Sequence, residues 1–182
     1  TIDAALELEP DHISAYALIV EDGTAFARKV RRGEVVMPSD DETSDKYLMA
    51  DEAFEAAGLG WYELSNWAKP GAECRHNIGY WNGSQWWGIG PGAHSFMDGR
   101  RWWNVKHPAA YAQRLAAGES PAADGETPTS EERHLERVML GIRMREGIEA
   151  SLLNHVEQQL SAGLLESSPG SDPVRVRLTR EG

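Results

Sequence analysis

With 182 residues, 41% of them hydrophobic, the chain is long enough to bury a core of one domain or somewhat more. Its net charge of -11 argues against a nucleic-acid partner, because phosphate binding needs a basic patch. There is no run of about 18 apolar residues to span a bilayer, and TIDAALELEP has no basic segment followed by an apolar one. The single cysteine, Cys74, rules out an internal disulfide and fits a reducing compartment, so the expected location is cytoplasmic.

His12 to Val20 (HISAYALIV) is a nearly unbroken apolar run closed by Glu21, Asp22 and Gly23. It predicts a strand buried on both faces, hence a parallel sheet flanked by helices. Ser39, Asp40 or Asp41 then offers a helix cap, and Tyr47, Ala50, Phe54 and Ala57 recur at spacings of three and four before Gly58 and Gly60. The acidic residues Asp40, Asp41, Glu42 and Asp45 suit the first turn of that helix and do not form a catalytic pair. Trp61 to Leu64 reads as a short strand, giving the strand, helix, strand order of an α/β fold, for which a barrel and a doubly wound sheet both fit.

Ala68 to Gln85 is rich in Gly, Asn and Pro without a period and reads as a loop at the carboxyl end of a strand, where α/β folds place ligands. Trp87 to Ile89 predicts a further strand, and Asp98-Gly99 a hairpin turn between Ser95-Phe96 and Trp102-Trp103. Ala109 to Ala117 reads as a helix stopped by Gly118, and Glu119 to Thr129 as a linker. Thr129 with Glu132 predicts a capping box on a helix running to Arg145, with Leu135, Val138, Met139 and Ile142 as its apolar stripe. A second helix covers about Ala150 to Ala162, and Val174, Val176 and Leu178 alternate as a strand with Arg175 and Arg177 on its open face. The arginines of this region are interspersed with Glu131, Glu132, Glu136 and Glu146, as on a solvated face. The expected division is thus 1–118 and a small helical, winged-helix-like module over 119–182.

All seven tryptophans lie between Trp61 and Trp103, together with Tyr62 and Tyr80. Such a cluster is most often core, since aromatic rings bury large areas and stack on one another. Here the rings share a segment with His76-Asn77-Ile78-Gly79-Tyr80-Trp81, where an imidazole is followed by an amide and two large aromatics. A neutral imidazole nitrogen ligates iron or zinc, and its orientation depends on a hydrogen bond that an adjacent Asn77 can supply. Tyr80 and Trp81 could then flank a planar macrocycle such as haem; the alternative is an ordinary loop histidine satisfied by backbone. Zinc on Cys74, His76 and His94 is disfavoured, because Cys-x-His is not a finger spacing and no second cysteine pair exists. Arg75 next to Cys74 could lower the thiol pKa, but no catalytic base is identifiable beside it. Gly88 to Ser95 (GIGPGAHS) could let backbone approach a ligand closely or simply end a strand in a tight turn, and it matches neither the dinucleotide fingerprint nor the P-loop.

Through PDHISAYALIVEDGT, YELSNWAKPGAECRHNIGYW, GIGPGAHS, RRWWNVKHP and EERHLERVMLGIRMREG the chain resembles the HemW family of radical-SAM haem chaperones, relatives of oxygen-independent coproporphyrinogen III oxidase. The resemblance implies an α/β fold, the second half of a partial TIM-like (radical-SAM) barrel followed by a helical domain. It implies haem binding at the HNxxYW motif, here His76, Asn77, Tyr80 and Trp81, with His76 on the haem iron, and delivery of haem to haem-accepting proteins. The oxidase branch lacks that motif, which favours the chaperone; porphyrinogen decarboxylation is the alternative, and a winged-helix interaction module a third reading.

The family also carries a 4Fe-4S cluster and S-adenosylmethionine. The cluster needs a CxxxCxxC motif, which a chain with only Cys74 lacks, so the sequence reads as a carboxyl-terminal fragment not expected to catalyse alone. By the same resemblance Ala17, Ile19, Gly90 and His94 would lie near S-adenosylmethionine. Peripheral membrane association and dimerisation are left open.

Overall fold

The computed structural model describes residues 1–168 and 170–179. It divides into two compact units, the first Thr1–Cys74 and the second beginning at Arg75.

The first unit contains, in order, α1 (Ile2–Leu6), β1 (His12–Ser14), α2 (Ala25–Arg31), α3 (Asp40–Ala56), β2 (Gly60–Glu63) and β3 (Asn66–Ala68). α3 starts where the sequence predicts. The Ser39 hydroxyl accepts from the Glu42 N–H while the Glu42 carboxylate accepts from the Ser39 N–H, closing a capping box. Its Ala50 and Phe54 are buried and pack with Leu59 and Trp67, with Ile2, Leu6, Ile13, Ala15, Tyr47 and Trp61 around them. Trp67 is fully buried at the middle of this core. Its indole N–H donates to Asp51 Oδ1 at 2.7 Å, and the Phe54 and Tyr47 rings lie 5.2 and 5.6 Å away.

Two expectations are corrected here. The apolar run from His12 does not form one long buried strand: only His12–Ser14 is strand, the last backbone bond runs from Ala15 N–H to the Ser65 carbonyl at 2.9 Å, and Tyr16, Leu18 and Ile19 are exposed. Nor is the sheet parallel. Its order is β1-β3-β2, and both outer strands run antiparallel to β3. β1 and β2, joined through α3, do point the same way as a strand-helix-strand unit should, but the hairpin partner β3 is inserted between them. The pairing of β2 with β3 is shifted by a bulge between Trp61 and Glu63. One face carries Trp61 and Trp67 into the core; on the other, His12 Nε2 lies 2.8 Å from the Tyr62 hydroxyl, and Asn66 bonds Ser14, Tyr16 and the buried Glu63.

The second unit contains α4 (Arg75–Trp81), β4 (His94–Met97), β5 (Arg100–Asn104), α5 (Pro108–Ala116), β6 (Ala122–Glu126), α6 (Ser130–Gly141), β7 (Ile148–Glu149), a 3-10 turn (Ala150–Leu152), α7 (Val156–Ser161), β8 (Leu165–Ser167) and β9 (Arg175–Leu178). β4 and β5 form the expected hairpin, with positive φ at both Asp98 (49°) and Gly99 (76°). The stretch read as a linker supplies β6, which pairs with the open edge of β5 through its backbone. Trp87 to Ile89 is not a strand; pairing there is confined to one bridge between Trp86 and Phe96.

α6 opens with the expected Thr129–Glu132 capping box but ends at Gly141, short of Arg145. The helix expected from Ala150 resolves into the 3-10 turn and the shorter α7. A third antiparallel sheet of order β7-β9-β8 encloses a core of Ile148, Leu165 and the fully buried Val176, onto which Val138, Ile142 and Leu160 pack. Arg101 of β5 reaches α6: its Nη2 lies 2.5 and 2.6 Å from the two Glu136 carboxylate oxygens, and that hydrogen bond holds the guanidinium pKa above its usual value. Pro169 and residues 180–182 of the expected second module lie outside the described residues.

Trp67→Ala should destabilise the first unit by about 3–5 kcal/mol and Asp51→Ala by about 1–3 kcal/mol, since the latter strands a buried indole N–H. Chemical denaturation checks both, and wild-type stability in either variant contradicts this account of the core. In the second unit, the Thr129 N–H and hydroxyl hold the Glu132 pKa below its usual 4.5. The unfolded chain therefore takes up the proton more readily. The contribution of Glu132 is complete above the unfolded value and is lost as pH falls through the lower folded value. Wild type should melt above Glu132→Gln at neutral pH and converge with it in acid; a gap independent of pH contradicts this.

Candidate functional site

The segment expected to be a loop from Ala68 to Gln85 contains α4, which puts His76 on a helix. The helix ends in a Schellman turn: Ser84 N–H bonds the Gly79 carbonyl at 2.8 Å, Gly83 N–H bonds that of Tyr80 at 3.4 Å, and Gly83 has φ +74°. His76 and Tyr80 are four residues apart, so α-helical geometry stacks them on one face. Their rings meet edge to face with centroids 4.9 Å apart. Both side chains are exposed, whereas Asn77 and Trp81 are half-buried, and α4 itself buries no residue.

Past the turn, Trp86 N–H and the Phe96 carbonyl, and Phe96 N–H and the Trp86 carbonyl, form two 2.9 Å bonds that dock the returning chain on β4. The Trp86 ring contacts Tyr80 edge to face at 4.8 Å and Phe96 at 5.3 Å, and its indole N–H donates to the His94 carbonyl at 3.2 Å. A row of rings, His76, Tyr80, Trp86 and Phe96, therefore runs from the helix to the sheet. Arg101 closes it with its guanidinium carbon 5.9 Å from the Phe96 centroid. Among the described residues no ring packs on Trp81 in this way. The row was not legible as such in the sequence, where Trp86 is one tryptophan of seven.

The glycine-rich segment is held by protein groups. A Cβ on Gly88 would lie 2.1 Å from the His94 carbonyl oxygen, so the close backbone approach there is to the chain itself. Gly88 N–H donates to the buried Ser95 hydroxyl at 2.9 Å, and Gly90 N–H to the Tyr111 hydroxyl at 3.1 Å. The buried Asn104 amide donates to the carbonyls of Gly88 and Gly90 at 3.3 and 3.0 Å. Ser95, Asn104 and Tyr111 are the residues that sequence reasoning missed in shaping this loop; only the polar Asn between Trp103 and Val105 hinted at one of them.

Gly90 thus has both backbone polar groups engaged, and the exposed His94 ring leans on Trp103 at 5.6 Å. Ala17 and Ile19 lie exposed in the irregular segment after β1. No group of three or more His, Cys, Asp or Glu suited to a metal ion occurs among the described residues. With one cysteine, the chain does not fit a 4Fe-4S cluster held by three thiolates. No helix among the described residues is long and apolar enough to cross a membrane.

The chain is 49% identical over 165 residues to the "Heme chaperone HemW" of Mycobacterium tuberculosis, a match covering 91% of this chain. It is a homologue of the HemW proteins. The HemW of Bacillus subtilis is 36% identical over 81% of this chain, and that of Synechocystis 34% over 91%. The chain spans 42% of the length of the mycobacterial HemW and 39% of the Bacillus one. No family model matches. Among solved structures, the Escherichia coli coproporphyrinogen III oxidase (HemN), titled a radical SAM enzyme, superposes with a TM-score of 0.68 over all of this chain and 47% of its own, at 18% identity. That likeness establishes a shared mixed α/β fold.

Proposed function

We propose that this chain is the haem-accepting part of a haem chaperone of the radical-SAM family, with His76 as the axial ligand of the haem iron. The observation that carries the reading is an exposed imidazole, set edge to face against Tyr80 on a two-turn helix, in a chain 49% identical to a "Heme chaperone HemW". A neutral imidazole donates a ring nitrogen to iron while its other N–H takes a partner. Asn77 is the neighbour assigned to that second nitrogen, and Tyr80 and Trp81 to the faces of the macrocycle. Haem is then cargo, passed to haem-accepting proteins by exchange of its axial ligand.

In the intact protein a 4Fe-4S cluster and S-adenosylmethionine accompany this function and supply its redox chemistry. This chain adds Ala17, Ile19, Gly90 and His94 as the residues assigned to S-adenosylmethionine, and none of the cluster thiolates. The 1–118 part is read as barrel-derived and bearing the haem helix. The β7-β9-β8 sheet with α6 and α7 supports reading 119–182 as winged-helix-like. The location is taken as cytoplasmic, and the net charge of -11 speaks against nucleic acid as a partner.

The fold shared with coproporphyrinogen III oxidase supports a second reading, radical decarboxylation of a porphyrinogen. An anaerobic assay for protoporphyrinogen formation separates the two, and turnover would favour the oxidase. For the chaperone reading, haem added to the wild-type protein should give a shifted Soret band that His76→Ala loses and His94→Ala keeps. An unchanged band in His76→Ala removes the ligand assignment.

A further inference from the structure

We infer that Trp86 is a positioning residue for the iron ligand His76, acting through Tyr80. The inference rests on the reading of His76 as that ligand and extends it to a side chain outside the HNxxYW motif.

α4 has seven residues and buries none of them, so its orientation is not set by a core of its own, and a helix this short is marginal in isolation. What touches the imidazole is Tyr80, at 4.9 Å and 78°, and the ring on Tyr80 is Trp86, at 4.8 Å and 72°. Trp86 is in turn held at three places. Its backbone makes both 2.9 Å bonds with Phe96, its indole N–H reaches the His94 carbonyl at 3.2 Å, and its ring rests on Phe96 at 5.3 Å. The sheet thus fixes Trp86, Trp86 fixes the tyrosine ring, and the tyrosine ring limits the rotation of the imidazole. A ligand held this way loses less rotational freedom when it binds iron. Trp87, the next residue, is the internal comparison: its ring packs on Trp102 at 5.2 Å and has no part in the row.

The test uses haem-loaded native protein and reads the haem-release rate and the axial-ligand signature in the electron paramagnetic resonance and Soret spectra. Trp86→Leu should raise haem release roughly two- to tenfold, the worth of one aromatic pair, and broaden or shift the ligand signature. Trp86→Phe, which keeps a ring, should restore both. Trp87→Leu, the loss of an indole from the adjacent position, should leave the signature as in wild type. In a Tyr80→Leu background, Trp86→Leu should add nothing, because its effect passes through Tyr80.

An unchanged signature in Trp86→Leu overturns the inference, as does an equal change in Trp87→Leu or full additivity with Tyr80→Leu. His76→Ala is measured alongside. If it leaves the wild-type signature intact, the ligand assignment itself fails; if it removes the signature while Trp86→Leu does nothing, only the role of Trp86 fails.

Discussion

Two backbone hydrogen bonds of 2.9 Å between Trp86 and Phe96 fasten the end of the His76 segment to the β4-β5-β6 sheet. The geometry of the candidate site follows from that attachment. The Schellman turn at Gly83 reverses the chain after α4, and the bridge to Phe96 fixes where it returns. The Trp86 ring is then delivered against Tyr80, and Tyr80 against His76. Beyond the bridge, Gly88 crosses the His94 carbonyl at a distance no side chain allows, and Ser95 and Asn104 bond the loop that follows. The imidazole stays exposed for a ligand while its support is a sheet. On the proposed reading, in which the site takes and releases haem, that combination serves both steps, since a ligand on a free loop would order only at the cost of binding energy.

The first unit is organised on a different residue. Trp67 packs Phe54 and Tyr47 and directs its one polar atom to Asp51, a side chain about three turns into α3. Helix and sheet are thereby joined by a directional bond inside an apolar core, where an unpaired donor would cost more than the bond gains. The opposite face of the sheet is polar, with Asn66 linking Ser14, Tyr16 and Glu63.

Much of this was legible in the sequence because the signals are local. The cap offered by Ser39, Asp40 or Asp41, the Thr129–Glu132 box and the Asp98-Gly99 turn each depend on neighbouring residues, and each forms, the first on Ser39. The apolar run after His12 misled for the opposite reason. Its composition asks for burial on both faces, but burial depends on distant partners, and here only Ile13 and Ala15 reach the core. The polar stretch Ala122–Glu126 hid a strand because edge pairing runs through the backbone and leaves no side-chain alternation to read. At the site, His76, Asn77, Tyr80 and Trp81 were visible as a motif. The helix carrying them was obscured by Gly79 and Asn77, poor helix formers, and its stop at Gly83 looked like loop composition. Trp86 could not be distinguished from six other tryptophans until ring contacts separated it from Trp87.

The most direct test of the central claim is a crystal structure of the haem-loaded protein with iron located by its anomalous scattering. The account predicts an iron peak at coordinating distance from an imidazole nitrogen of His76, with the Tyr80 and Trp86 rings still in edge-to-face contact behind it. Iron on Cys74 or His94, or a haem seated away from α4, would contradict it.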